Sequence, residues 1–154
     1  MPNTYTNLLF HIVYSTKYRK PLITPNLQDD LYGYIGGIIR EEKGILLTAG
    51  GMADHVHLLA RLPPTTAVSD MLRLIKTNSS KWASERDDVR YFEWQAGYAA
   101  FSVSESQTDR VRGYIQTQEE HHRRQSFKDE YLGLLRKHNI EFDERYVFEE
   151  EHIG

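Results

Sequence analysis

Hydrophobic and polar positions follow two different periods along the chain, and each change of period marks a new element. Four segments rich in β-branched and aromatic residues predict strands over residues 7–16, 45–49, 55–62 and 97–103. Apolar residues at helical spacing predict helices over residues 25–43 and 68–83. This β-α-β-β-α-β order predicts an α+β fold, a ferredoxin-like or RRM-like antiparallel sheet with helices on one face.

Capping and turn residues set the boundaries in the first half of the chain. Thr24 is a suitable N-cap, and Pro25 suits the first position of the first helix. The pair Gly50-Gly51 separates two strand-like segments, which predicts a hairpin turn at these glycines.

The second half adds helices to the basic pattern. Ser104 or Ser106 is predicted to open a third helix that continues through Gln118, and a last helix is predicted over residues 127–138. We expect the third helix to cover the face of the sheet that the first two leave open. An acidic segment, residues 141–154, ends the chain.

Length and composition predict one domain, residues 1–154 including the acidic tail. The sequence has no cysteine, so any metal must bind His, carboxylate or amide ligands. No apolar segment is long enough to cross a bilayer and no signal peptide is evident, so we expect a cytoplasmic protein without membrane contact.

The net charge of −3 is unusual for a protein that binds nucleic acid. Residues 141–154 contain six acidic residues and one arginine, which leaves the remaining chain at about +2. The charge is therefore compatible with a local basic groove, and we expect any DNA binding to be sensitive to salt.

A pair of histidines in the third predicted strand is the first candidate for chemistry. Side chains alternate across a strand, so His55 and His57 share one face while Val56 and Leu58 share the other. The two imidazoles are then close enough to bind one metal ion. For an isolated His-x-His pair, however, plain solvent-facing histidines are the commoner outcome.

The second candidate lies on the third predicted helix. Tyr114 and Gln118 are four residues apart and would face the same side. If this helix lies over the histidines, the amide oxygen of Gln118 can be a third metal ligand and the Tyr114 hydroxyl can attack a metal-bound phosphodiester. The competing interpretation is a half-buried tyrosine and a solvent-exposed glutamine.

Four segments together resemble the single-tyrosine HUH transposases of small insertion sequences and their repeat-associated relatives. The segments are HIVYSTKYRKP (residues 11–21), DHVHLL (54–59), LRLIKTNSSKW (72–82) and YIQTQEEHH (114–122). This resemblance implies that Tyr114 is the nucleophile, that His55 and His57 bind the metal, and that Gln118 is the third ligand.

The same resemblance implies a cofactor, an intermediate and partners. Family members use Mg²⁺ or Mn²⁺, form a 5′-phosphotyrosine intermediate, release a 3′-hydroxyl, and act as homodimers on single-stranded DNA that carries hairpins. The helix bearing Tyr114 could then complete the site of a partner subunit.

Two clusters of basic residues are candidate DNA contacts. Lys17, Tyr18, Arg19 and Lys20 surround an aromatic side chain with positive charge at the end of the first strand. Arg73 and Lys76 share one face of the second helix. Solvated loop and helix surfaces are the alternatives in both cases.

Four other residues near the motifs carry weaker signals. Capping or solvent exposure is the favoured interpretation for His121 and His122, although either could approach the metal. His11 is expected to be a packed strand residue. Asp54 should point away from the metal and orient its neighbour or form a turn.

Three alternatives to an active transposase stay open. A zinc hydrolase could use the histidines, but zinc sites more often include a third His or a carboxylate, and Tyr114 would then have no role. A non-catalytic module could bind single-stranded DNA or RNA on the same sheet. A domesticated or decayed transposase would retain the site without moving an element of its own.

Overall fold

A four-stranded antiparallel sheet organises the computed structural model, which describes residues 3–148. The strands are β1 (Leu8–Ser15), β2 (Ile45–Met52), β3 (His55–Leu62) and β4 (Ala99–Val103). Their order in the sheet is β2-β3-β1-β4, and every neighbouring pair is antiparallel. The predicted α+β fold with a ferredoxin-like sheet is confirmed.

Within residues 3–148, five α-helices lie on the two faces of this sheet. They are α1 (Pro25–Glu41), α2 (Val68–Ser84), α3 (Thr108–Gln116), α4 (Gln118–His121) and α5 (Phe127–Lys137). The predicted cap of the first helix is present, because the Thr24 side chain accepts a hydrogen bond from the Leu27 N–H at 3.3 Å.

The first face of the sheet packs against α1 and α2. Alternate residues of β3, including Val56, Leu58 and Ala60, are fully buried in this core. Leu31 and Ile35 of α1 and Met71 and Ile75 of α2 cover them. These apolar residues lie opposite the two histidines of β3, as the alternation of the strand predicts.

The second face is covered by the C-terminal half of the chain. Val13, Ala99 and Phe101 of the sheet pack against α5 through Phe127, Tyr131, Leu132 and Leu135. Phe148, near the end of the described residues, completes this second core and is buried. The covering layer is therefore larger than the single tyrosine-bearing helix that the sequence predicts.

The prediction of a hairpin turn at Gly50-Gly51 is wrong. Both glycines lie within β2, where Gly50 pairs with His57 and Gly51 with Val56, and the turn falls at residues 53–54. Gly50 is needed for close packing, because a Cβ there would lie 2.3 Å from the carbonyl oxygen of Ile115 in α3. A missing side chain in β2 thus lets α3 approach the sheet.

The predicted third helix is interrupted. A 3-10 turn (Glu105–Gln107) precedes α3, and Thr117 (φ −110°, ψ 28°) separates α3 from α4. The Thr117 hydroxyl donates to the Gly113 carbonyl at 2.9 Å, a back-bonding contact that bends helices. Tyr114 and Gln118 therefore lie on consecutive short helices.

The structure describes residues 141–148, the first part of the predicted acidic tail. A short 3-10 turn spans Glu144–Tyr146, and Asp143 accepts a hydrogen bond from the Arg145 N–H at its start. Residues 149–154 of the predicted tail lie outside the described residues. Within residues 3–148, no helix is both long and apolar enough to cross a membrane.

We predict that Gly50→Ala destabilises the protein by about 2 kcal/mol, because the new methyl group collides with the backbone of α3. Gly37→Ala is the matched control: its Cβ would meet nothing within 4 Å, and helix propensity favours alanine there. Urea unfolding of both variants measures the difference. Equal stability of the two variants would show that α3 does not need this close approach.

Candidate active site

His55 and His57 of β3 lie on the second face of the sheet, beneath the layer formed by α3, α4 and α5. Their side chains are fully buried and the ring centroids are 5.1 Å apart. The ring of Phe127 in α5 stacks on His55 at 4.3 Å. Burial under helices makes these imidazoles part of an internal site and excludes ordinary solvent-facing histidines.

The outer nitrogen of each imidazole has a fixed partner. Asp54 Oδ1 is 2.8 Å from His55 Nδ1, which confirms the predicted orienting contact of Asp54. His11 Nε2 is 2.8 Å from His57 Nδ1. With the ring proton on Nδ1, both His55 and His57 turn an Nε2 lone pair towards the interior of the site.

Gln118 reaches the same point from the start of α4. Its side chain is buried, and its Oε1 lies 2.9 Å from His55 Nε2. The break at Thr117 does not separate Gln118 from the histidines. The structure thus brings together His55, His57 and Gln118, the three residues that the sequence singled out as ligands.

Glu130 of α5 lies at the centre of the site. Its Oε1 is 3.1 Å from His57 Nε2, and its Oε2 accepts a hydrogen bond from Gln118 Nε2 at 3.0 Å. The same Oε2 also accepts a hydrogen bond from the Tyr114 hydroxyl. One carboxylate therefore connects the tyrosine to the imidazole and amide groups.

His122, at the end of α4, completes the cluster. Its Nδ1 donates to the Gln125 carbonyl at 2.8 Å, which leaves the Nε2 lone pair directed inward. That Nε2 is 3.0 Å from both Gln118 Oε1 and Glu130 Oε1. The interpretation of His122 as a capping or exposed residue is wrong, because helical spacing from Gln118 carries it into the site.

The buried setting shifts the pKa values of three groups. Burial raises the pKa of Tyr114, and the hydrogen bond to Glu130 raises it further. Burial also favours a neutral Glu130, but contacts with His57 and Tyr114 outweigh this effect and hold its pKa well below the usual range. Burial lowers the pKa of His57, although its contact with Glu130 opposes this.

The chemistry of the donor set fits a divalent cation. One ligand atom from each of His55, His122 and Glu130 lies within 4.8 Å of the others. Two further atoms adjoin this group: Gln118 Oε1 lies 2.9 Å from His55 Nε2, and His57 Nε2 lies 3.1 Å from Glu130 Oε1. Imidazole nitrogen, amide oxygen and carboxylate oxygen that face one another as acceptors are a set that a bound cation would satisfy.

The Tyr114 side chain lies beside the histidines. The Tyr114 ring is half-buried and meets His57 edge-on at 5.7 Å. Ile115, the next residue of α3, touches Gly50 of the same sheet. The tyrosine helix therefore packs on its own sheet.

The first predicted basic cluster forms an exposed turn after β1. Tyr18 and Arg19 have positive φ angles of 58° and 55°, and the Tyr18 side chain is 44% exposed. Lys20 lies over the rings of both Tyr18 and Tyr91, at 5.4 Å and 5.6 Å. Lys17 instead forms an ion pair with Glu93 at 3.3 Å.

The rest of this turn approaches the second core. The guanidinium of Arg19 lies 4.3 Å above the ring of Phe148, which packs near Phe127. Since Phe127 stacks on His55, the turn lies at the end of the sheet where the histidine cluster begins.

The basic side chains of the second predicted cluster, Arg73 and Lys76, bind other groups of the protein. Arg73 and Lys76 line a groove between α2 and residues 93–98. The Lys76 ammonium donates to the carbonyls of Gln95 and Gly97 at 2.6 Å and 2.8 Å, and Arg73 pairs with Asp70 at 3.1 Å. Lys76 therefore holds the loop before β4 against α2.

Sequence reasoning missed Glu130 and assigned His11 only a packing role. A signal for Glu130 exists, because it lies three residues after Phe127 on the apolar face of the last helix. His11 shares its strand face with Val13, and only the pairing of β1 with β3 reveals that it faces His57.

Comparison with known proteins matches this chain to transposases of one family. A sequence model of the family described as "Transposase IS200 like" matches residues 4–118. The ISDra2 transposase TnpA of Deinococcus radiodurans is 26% identical over 121 residues, which cover 72% of this chain and 84% of that protein. The transposase for insertion sequence element IS200 of Salmonella typhimurium is 30% identical over 132 residues, covering 77% and 81%.

Solved structures share the fold. One is a Deinococcus radiodurans R1 protein assigned as a transposase, with a TM-score of 0.60 and 22% identity over 77% of this chain and 95% of that one. Another is a REP-associated tyrosine transposase bound to a REP hairpin, with a TM-score of 0.60 and 14% identity over 79% and 73%. His122 and Glu130 lie beyond the residues that the family model matches.

We predict that acid destabilises the metal-free protein partly through His11. Burial and the neighbouring His57 lower the pKa of folded His11 from 6.5 to about 3. As the pH falls below 6.5 the unfolded chain binds this proton first, so the free energy of unfolding should fall by about 1 kcal/mol per pH unit.

His11→Gln should remove this part of the pH dependence. Urea unfolding between pH 7 and about pH 4 with EDTA present measures it, by comparing the slopes of stability against pH. Equal slopes for both proteins would show that His11 is not held neutral in the folded state.

Proposed function

The chain belongs to the IS200-like transposase family, and on that basis we propose that it cleaves and rejoins single-stranded DNA through Tyr114. The observation that carries this proposal is one buried cluster in which Glu130 contacts both the Tyr114 hydroxyl and His57. A nucleophile beside a candidate cation site is the arrangement that metal-assisted phosphodiester transfer requires.

In the proposed reaction, the Tyr114 oxygen attacks the phosphorus of a DNA phosphodiester. A bond forms between the phenolic oxygen and phosphorus, and the bond from phosphorus to the 3′ oxygen breaks. The products are a 5′-phosphotyrosine and a DNA end with a 3′-hydroxyl, which takes up a proton. Attack by a 3′-hydroxyl on the phosphotyrosine reverses these steps and rejoins the DNA.

Glu130 is the proposed acceptor of the tyrosine proton. Its Oε2 already accepts the hydrogen bond from the hydroxyl, so the proton moves along an existing contact as the oxygen attacks. Gln118 Nε2 donates to the same oxygen at 3.0 Å and holds the carboxylate in place. The same carboxylate can return the proton to the 3′ oxygen.

The proposed cation is Mg²⁺ or Mn²⁺, held by His55, His57 and Gln118, with Glu130 and His122 as two further ligands. A bound divalent cation would polarise the phosphate oxygens and favour the ionised tyrosine, against the effect of burial. Asp54 and His11 orient the two strand imidazoles from outside.

The proposed substrate is single-stranded DNA that carries hairpins. The REP-associated relative is bound to a REP hairpin, which supports this choice of partner. In this chain Tyr18 and Tyr91 are both 44% exposed, with Lys20 near both rings. Exposed aromatic rings beside cations suit stacked bases and phosphates, and Arg73 is a further candidate phosphate contact.

We propose that the site functions within one chain. The homodimer implied by resemblance would exchange the tyrosine helix between subunits. Here α3 packs on its own β2, with Gly50 against Ile115, and Tyr114 bonds to Glu130 of the same chain. In this proposal a second chain contributes no group to the site.

A zinc hydrolase is the second candidate function. The observation in its favour is the presence of a third imidazole, His122, and a carboxylate, Glu130, which are common zinc ligands. In this reaction water would attack the substrate and Tyr114 would form no covalent bond.

We predict that the protein forms a covalent adduct with hairpin-bearing single-stranded DNA from its own genomic flanks when Mg²⁺ or Mn²⁺ is present. Tyr114→Phe should abolish the adduct, because only the hydroxyl can bond to phosphorus. A denaturing gel with labelled DNA measures this, and EDTA and Tyr131→Phe serve as controls. Cleavage that survives Tyr114→Phe would indicate metal-activated water and favour the hydrolase.

We predict that mixing Tyr114→Phe and His55→Ala chains restores no adduct. Each variant lacks one half of the site, and in the proposed arrangement both halves belong to the same chain, as the contacts of Ile115 with Gly50 and of Tyr114 with Glu130 suggest. The adduct assay on the mixture, compared with each variant alone, tests this. Recovered activity would demonstrate exchange of the tyrosine helix between subunits.

A further inference from the structure

A cleft opens between α3 and α5, beside the proposed nucleophile. Its volume is about 760 Å³, and His11, Tyr114 and Glu130 lie among its lining residues. The first and last of these are buried, and Tyr114 is half-buried, so they form the inner end of the cleft. The cleft thus leads from the surface to the tyrosine hydroxyl.

The lining of this cleft changes from apolar to basic towards the surface. Val103 of β4, Val111 of α3 and Leu134 of α5 are partly buried and give it apolar walls. Arg110 of α3 and Lys137 of α5 are exposed and lie on opposite sides of its entrance. Among the described residues that line the cleft, Glu130 is the only acidic one, and it accepts hydrogen bonds from Gln118 and Tyr114.

We propose that this cleft binds an unpaired nucleotide next to the scissile phosphate. This inference rests on the proposed function, and it names where the substrate strand enters the site. The apolar walls receive the base, and the two cations at the entrance contact the flanking phosphates. The scissile phosphate then lies at the inner end, against Tyr114.

Size, polarity and position all favour this occupant. Pockets of roughly 300–1,000 Å³ hold small organic ligands, a range that includes one nucleotide. A base presents an apolar face that packs on Val111 and Leu134, while its phosphates need positive charge. A base-paired nucleotide would not enter a cleft between two helices, so the bound nucleotide must be unpaired.

Gly133 of α5 offers a way to block the cleft without disturbing the core. It is exposed, lines the cleft, and a Cβ there would meet nothing within 4 Å. Gly133→Trp therefore projects a large ring into the space proposed for the base, and it replaces a helix-interior glycine with a better helix former. Gly33→Trp is the matched control, because Gly33 is an exposed glycine of α1 with equal free space.

The test measures binding of a short fluorescein-labelled oligo(dT) by fluorescence anisotropy. Gly133→Trp should weaken binding by about tenfold, whereas Gly33→Trp should bind like the unmodified protein. Arg110→Gln should weaken binding and reduce its salt dependence, with Arg40→Gln of α1 as its control. Thermal melting and Mn²⁺ binding by electron paramagnetic resonance verify that Gly133→Trp keeps its fold and metal site.

The outcomes separate this inference from the proposed function. Loss of oligo(dT) binding in Gly133→Trp supports the cleft as the nucleotide site, even if the unmodified protein forms no covalent adduct. Unchanged binding in a folded Gly133→Trp and in Arg110→Gln overturns it, even if the Tyr114 adduct forms. If Gly133→Trp fails to fold, Arg110→Gln alone decides between these results.

Discussion

The buried carboxylate of Glu130 is the contact on which the organisation of the site depends. A carboxylate that is 3% exposed is costly unless it is paired and hydrogen-bonded. Gln118 and Tyr114 meet part of this requirement by donating hydrogen bonds to Glu130, and a cation shared with His57 and His122 would complete it. Because these partners come from β3, α3 and α4, the compensation of one charge on α5 fixes four elements relative to one another.

The sheet can serve this site because its two faces carry different chemistry. One face of β3 is aliphatic and packs under α1 and α2, so the strand is firmly anchored. The other face presents His55 and His57, and Gly50 on the neighbouring strand lets α3 lie close above them. A rigid apolar layer on one side thus holds the polar groups of the other side in a defined geometry.

The C-terminal segment beyond residue 118 is part of the site as well as part of the fold. It supplies His122 and Glu130 to the cluster and one wall of the cleft beside Tyr114. Phe127 and Phe148 attach the same segment to the sheet, and Phe148 also contacts Arg19 of the exposed basic turn. The proposed metal ligands, the proposed nucleophile and the proposed DNA path are therefore connected through one segment.

The sequence alone determined what depends on local periodicity and spacing. The alternation of β3 assigned His55 and Val56 to opposite faces, and the order of elements predicted the sheet, since both follow from backbone geometry. Tertiary structure decided the rest. Gly50 lies within a strand because of an approach by Ile115 that local turn propensity does not encode. Glu130 joins His57, 73 residues away, only because α5 folds back over the sheet, and a polar residue on an apolar helix face does not by itself identify its partner.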